Sequence, residues 1–348
     1  MEYQGGPYQW NNDIFPTDED EIYLSPTPNK SVGPLMLFSI IMSYLLGFLG
    51  TLFIKDVNNG IAMLILNTIV ITVGSVLIPS LIYIFLKKQK SDNFYFNKLR
   101  INLFLPCILL AIGLVFLATS INSMVYSIFE HFGISFSNET LLDNINLSDT
   151  KNFIICIVCV CFAPAVCEEL LCRSAILYSL RWSGMTPSAI ISGAYFALLH
   201  GSIISFPTYF ILGYIFGAVA YKSRSIISSM LIHFVYNFVI LILTVYFMNA
   251  DTGAQEAVTL TSPEYWKSIA SMLFVAAVFL IPALLMLFPA FAKNDEIDAK
   301  NAGVSERFYL DDFNAVNHPH AKIGVVRLMV SFVILIGMAV LNDYLSIL

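Results

Sequence analysis

Two adjacent carboxyls and a guanidinium, in Glu168-Glu169-Leu-Leu-Cys-Arg173, share this chain with two imidazoles and an amide, His200, His233 and Asn237, all inside stretches otherwise apolar enough to cross a bilayer. An ionised side chain at membrane depth costs roughly 2.5–3.5 kcal/mol or more, so such groups mark a functional site by default. Residues four apart share a helix face, which pairs Glu169 with Arg173, Phe196 with His200, and His233 with Asn237. Arg173 can neutralise Glu169 as a structural ion pair, while Glu168 points about 100° away round the helix. A carboxyl left in this way can exchange a proton with a nearby imidazole, which is the chemistry of general acid–base catalysis. Taken singly, each group also has a packing reading: the histidines and Asn237 as interhelical hydrogen-bonding groups, and Phe196 as filler.

The elements that must position them are membrane helices. Apolar residues make up 57% of the chain and the mean hydropathy is +0.76, against about 45–50% apolar in soluble domains. The apolar runs are continuous rather than alternating, so the expected fold is an all-α polytopic bundle of about eight to nine transmembrane helices and not a β-barrel. Candidate spans cover about 34 to 54, 60 to 86, 101 to 128, 152 to 171, 187 to 203, 206 to 221, 226 to 248, 267 to 292 and 323 to 347. The first 32 residues, with Asp18-Glu19-Asp20-Glu21, read as a disordered acidic tail. The spans then divide into an N-terminal group over 33–129, a motif-bearing core over 150–250 and a C-terminal group over 251–348, with a polar loop at 293–322.

Lys87, Lys88, Lys90, Lys98, Arg100, Arg181, Lys222, Arg224, Lys293, Lys300, Arg307, Lys322 and Arg327 fall at one set of span ends, and only Lys55, Lys151 and Lys267 at the other. This bias sets the N-terminus in the cytoplasm of a multi-pass protein, in a cell membrane. Asn138-Glu-Thr140 and Asn146-Leu-Ser148 are then formal sequons on the outer side.

Depth tests whether the polar groups can meet. Glu168 lies roughly 20 Å from the cytoplasmic end of its span and His200 roughly 20 Å from an N-terminus set by Thr186-Pro187. His233 and Asn237 lie roughly 12–18 Å in, at 1.5 Å per residue. The three agree to within a helical turn or two, so they can line one cavity. The six cysteines lie in apolar or motif-bearing helices, and no disulfide framework is expected. No basic patch with interleaved aromatics points to nucleic acid. Gly213-Tyr-Ile-Phe-Gly217 permits close helix approach, expected inside the bundle, and leaves the oligomeric state open.

The ordered set EExxxR, FxxxH and HxxxN, filled by Glu168, Glu169, Arg173, Phe196, His200, His233 and Asn237, resembles the CPBP family (Abi or CAAX prenyl protease 2) of intramembrane endopeptidases over about residues 150 to 250. The resemblance implies a membrane cavity open to the cytosol and hydrolysis of a peptide bond in a membrane-associated peptide or lipidated protein, either CAAX-type processing or bacterial peptide processing and immunity. Glu168 and His200 would activate the water, His233 and Asn237 would stabilise the oxyanion, Glu169 and Arg173 would support the helix, although either glutamate could serve as the base, and Phe196 would meet the substrate. No cofactor is expected, although two His and a Glu form a zinc ligand set, in which case Glu168, His200 and His233 are the donors. The competing functions are a proton-coupled transporter using Glu168 and His200 as a relay, and a non-catalytic immunity or scaffold membrane protein.

Overall fold

The computed structural model describes residues 27–53, 60–87, 94–134, 141–249, 260–301 and 325–347. Among them nine helical segments follow one another where the apolar runs predict them. Helix α1 is Thr27–Phe53, and α2 runs through Gly60–Asn67, Thr68–Leu77 and Ile78–Lys87. Helix α3 is Ile101–His131, and α4 is continuous over Thr150–Leu180. Helices α5, Met185–Leu199, and α6, Phe206–Ser223, form a short pair, followed by α7, Ile226–Asn249, α8, Pro263–Asn301, and α9, Val325–Ile347. No strand occurs among the described residues; one isolated bridge joins Phe96 to Ser225.

Seven of these helices are long and apolar enough to cross a membrane, and α5 and α6 are not among them. The 15 residues of α5 extend only about 22 Å at 1.5 Å per residue, short of the roughly 30 Å of hydrocarbon. Helix α5 begins at Met185, capped by Gly184 with φ +87°, rather than at the expected Thr186-Pro187 start. The Ser188 hydroxyl donates to the carbonyls of Leu180 and Gly184 there, which fixes the earlier boundary. The predicted polar loop at 293–322 also starts later than expected, because α8 stays helical to Asn301. Its charges are matched: Asp298 pairs with Arg100 and Arg224, and Asp295 with Arg224 at 3.0 Å. Residues 302–324, the tail up to residue 26 and the sequon at Asn138 lie outside the described residues.

Close backbone approach explains the glycines of α5 and α6. A Cβ at Gly193 would stand 2.7 Å from the Tyr214 nitrogen, and one at Gly213 would stand 2.9 Å from the Gly193 Cα. Gly217 faces Ala189 at ordinary contact distance, so the GxxxG motif packs within the bundle. The core runs through α3 (Leu103, Leu114), α4 (Leu171, Ile176), α5 (Tyr195), α6 (Phe216) and α7 (Ile232). Large apolar side chains on the outer helices, such as Phe274, Leu285 and Phe288 of α8, are exposed, as a lipid-facing surface requires.

Helix α4 is wound more loosely in two stretches, Ile157–Phe162 and Leu170–Leu177, each π-helical. The first runs up to Pro164, which has no N–H to return to the carbonyl four residues back, that of Val160. The second begins directly after the two glutamates and carries Arg173. Every residue from Leu170 to Leu180 is buried, so this part of α4 is the best-shielded stretch of the bundle.

Candidate active site

Glu169 and Arg173 are the most deeply enclosed charges in the described structure, both with 0% exposure, and their ion pair measures 3.0 Å from Nε to Oε2. The Arg173 guanidinium also lies over the rings of Phe196 and Phe216, at 4.9 and 5.7 Å, an arrangement that replaces some of the lost hydration. The other Glu169 oxygen, Oε1, accepts from His233 Nδ1 at 3.1 Å. One carboxylate therefore holds a cation on its own helix and an imidazole on α7. His233 sits between aromatic faces, with Phe196 at 5.7 Å and Phe216 at 5.4 Å.

Asn237, one turn beyond His233, donates from Nδ2 to the Val160 carbonyl at 3.0 Å. That carbonyl lies four residues before Pro164, which has no N–H to return to it, so the amide on α7 supplies a donor there. The HxxxN spacing thus docks α7 on α4 at two levels, His233 on Glu169 and Asn237 on Val160.

His200 ends α5 and is held differently. Its Nδ1 lies 2.8 Å from the Phe196 carbonyl, which can only accept, so Nδ1 carries the proton and Nε2 presents a lone pair. The Tyr209 ring stacks on the imidazole at 3.6 Å and 16°. His233 donates from Nδ1 to the Glu169 carboxylate, which leaves Nε2 to the cavity that the residue lines. Phe196 is buried at 2% exposure and touches Arg173, His200, His233 and Tyr209, so its contacts are chiefly those of a wedge that spaces the polar groups.

These groups border one cavity of about 530 Å³. Glu168, Phe196, His200, His233 and Asn237 line it, as the sequence depths predict, and Glu169 and Arg173 stand behind its wall. Glu168 Oε2 is buried without a hydrogen-bond partner among the described residues. Across the cavity, α3 contributes Thr119, Asn122 and Ser123, and α6 and α7 contribute Thr208, Tyr209 and Tyr236. Sequence reasoning missed this wall, although the run Thr119-Ser120-Ile-Asn122-Ser123 inside an apolar span carried the same signal as the motifs. The donors a zinc ion would take share the cavity but are not grouped for it: among the described residues no three His, Cys, Asp or Glu side chains are so arranged.

The cavity has a closed end and an open end. Toward the Lys/Arg-rich helix ends, the buried stretch 170–180 and the packed rings of Phe94, Tyr95, Tyr178 and Tyr221 seal it. Its lining includes Thr119, Asn122 and Ser123 of α3 and Thr208 and Tyr209 of the first turn of α6, on the side away from that seal, as well as Phe216 and His233 nearer to it.

Removing Arg173 leaves the Glu169 charge buried and unpaired. An Arg173→Met protein should lose about 3–5 kcal/mol of stability, and Glu169→Gln added to it should restore part of that loss. Thermal unfolding of the detergent-solubilised variants checks this; equal stability of Arg173→Met and wild type would contradict the pairing.

No curated protein and no solved structure matches the chain. Residues 150–239, which span α4 to the middle of α7, match the family model described as Rce1-like, type II CAAX prenyl endopeptidase Rce1-like. That segment, well under half of the chain, carries six charged or polar motif side chains on and behind one cavity, and its match supports a likeness to the CPBP, or CAAX protease, family of membrane peptidases.

Proposed function

We propose that this protein is an intramembrane endopeptidase of glutamate and histidine type, acting on a membrane-associated peptide or lipidated protein. The observation that carries the reading is the Glu168 carboxyl: half-buried, with Oε2 unpaired among the described residues, lining the same cavity as His200, whose Nδ1 is held by the Phe196 carbonyl. A carboxylate so placed, with an imidazole acceptor beside it, suits the activation of water.

In the proposed reaction Glu168, assisted by His200, takes a proton from water as its oxygen bonds to the scissile carbonyl carbon. The carbonyl π electrons move to oxygen, and the oxyanion meets the second N–H of the Asn237 amide, whose first N–H is held by Val160. His233, held at Nδ1 by Glu169, stands beside the same cavity as the second group in reach of the oxyanion. Collapse breaks the C–N bond, and the proton held by Glu168 and His200 passes to the leaving nitrogen. Glu169 and Arg173 are support in this account, and Phe196 spaces the catalytic groups. A proton-coupled carrier finds less support, since the polar groups border a cavity closed at one end.

We take the orientation from the chain's own Lys/Arg distribution, which puts the N-terminus in the cytoplasm. The cavity mouth then faces the non-cytoplasmic half of the membrane, and substrate reaches it from there; the cytosolic access implied by the resemblance requires the reverse orientation. In a background without the native cysteines, Ser123→Cys should react with a small charged thiol reagent added to intact cells. Labelling only after the cells are permeabilised would reverse the orientation.

Glu168→Ala and His200→Ala should each lower peptide cleavage by the purified protein by about 10²–10⁴-fold, with folding retained and chelators without effect on the wild type. Full activity in both variants would refute the mechanism.

A further inference from the structure

The turn that follows His200 is held from a distant part of the chain. His200 closes α5, and Gly201 turns the backbone away with φ +68°. Six residues later Phe206 starts α6, whose Tyr209 stacks back on the imidazole. The geometry of His200 therefore depends on a short turn, 200–205, whose backbone N–H groups need partners.

Asp343, near the end of α9, supplies them. Its Oδ2 accepts from the backbone N–H of Ile203 at 2.7 Å and of Ile204 at 3.2 Å, and the residue is 9% exposed. The neighbouring Asn342 donates from Nδ2 to the Gly201 carbonyl at 3.0 Å. More than three turns back along α9, the Tyr195 hydroxyl of α5 bonds Ser331 at 2.5 Å, and its ring stacks on Phe332 at 4.4 Å. Helix α9 lies outside the segment matched to the family model, yet it grips α5 and the turn after His200 at two levels.

We infer that Asp343 is a positioning residue for the active site: its carboxylate fixes the 200–205 turn, and through it the stacked pair His200 and Tyr209 that aims Nε2 into the cavity. A carboxylate receiving two N–H donors makes charge-assisted bonds, stronger than the bonds a neutral acceptor would make. Displacement of a catalytic group by about 1 Å can cost about 100-fold in rate, so control of this turn is control of turnover. The effect on rate rests on the peptidase reading above; the effect on His200 geometry does not.

The test compares Asp343→Ala, Asp343→Asn and, as a control on the same helix, Leu341→Ala, whose side chain is exposed. Two quantities are read on the purified full chain: peptide cleavage, and the rate at which diethyl pyrocarbonate modifies His200, followed by peptide mass. Asp343→Ala should lower kcat about 10- to 100-fold with KM within about twofold. It should also speed His200 modification about 10- to 100-fold, the change in opening that loss of charge-assisted hydrogen bonds allows. Asp343→Asn, which keeps an acceptor oxygen, should recover most of both, and Leu341→Ala should match wild type. If Asp343→Ala does not fold, Asp343→Asn decides, with a smaller shift in both readouts expected and none overturning the inference. Unchanged His200 modification in Asp343→Ala, or equal damage in all three variants, overturns it. A wild type that cleaves no peptide while His200 modification shifts as stated would remove the peptidase reading and leave the positioning role standing.

Discussion

A single buried carboxylate, Glu169, holds this bundle's functional centre together. A charge without water is tolerable only when its counter-charge and hydrogen-bond donors are fixed in place. Glu169 meets that condition with Arg173 one turn along α4 and His233 across on α7. Because both partners are needed, α4 and α7 are locked in register, and that register delivers Asn237 to the Val160 carbonyl. The aromatic packing of Phe196 and Phe216 follows from the same demand, since their faces cover the guanidinium. The neighbouring Glu168 is relieved of any structural duty and lines the cavity instead.

The remaining helices shape the space in front of that centre. The α5–α6 pair is short, which brings the turn after His200 back into the bundle, and close glycine contacts keep the two helices together. Helix α9 anchors this pair from the side, while α3 closes the cavity with a polar wall. At the Lys/Arg-rich end, Arg100 and Arg224 meet Asp295 and Asp298 of α8, tying the start of α3, the α6–α7 turn and the long α8 into one rim. These ion pairs between elements are thus gathered at the end that the packed rings seal.

The motif residues were legible in the sequence because ionisable groups stand out against an apolar background and helix spacing fixes which of them share a face. Glu169 with Arg173, and the common depth of Glu168, His200, His233 and Asn237, followed from arithmetic on one helix at a time. What was not legible depended on contacts between elements far apart in the chain. The stacking of Tyr209 on His200, the hold of Asp343 on Ile203 and Ile204, and the pairing of Asn237 with Val160 need the packed bundle to exist. The helical extension to Asn301 was hidden for the same reason: Asp295 and Asp298 look like loop residues until Arg100 and Arg224 are placed beside them. The Thr186-Pro187 boundary failed because Ser188 hydroxyl bonds at Leu180 and Gly184 outweighed a local capping preference.

The central claim is that two adjacent glutamates on one helix have been divided between chemistry and support. Measuring cleavage rate and thermal unfolding side by side for Glu168→Gln and Glu169→Gln tests it most directly. The account predicts that Glu168→Gln keeps the wild-type unfolding temperature and loses cleavage, whereas Glu169→Gln lowers the unfolding temperature by leaving Arg173 without its counter-charge. An active Glu168→Gln protein, or a Glu169→Gln protein with wild-type stability, would contradict it.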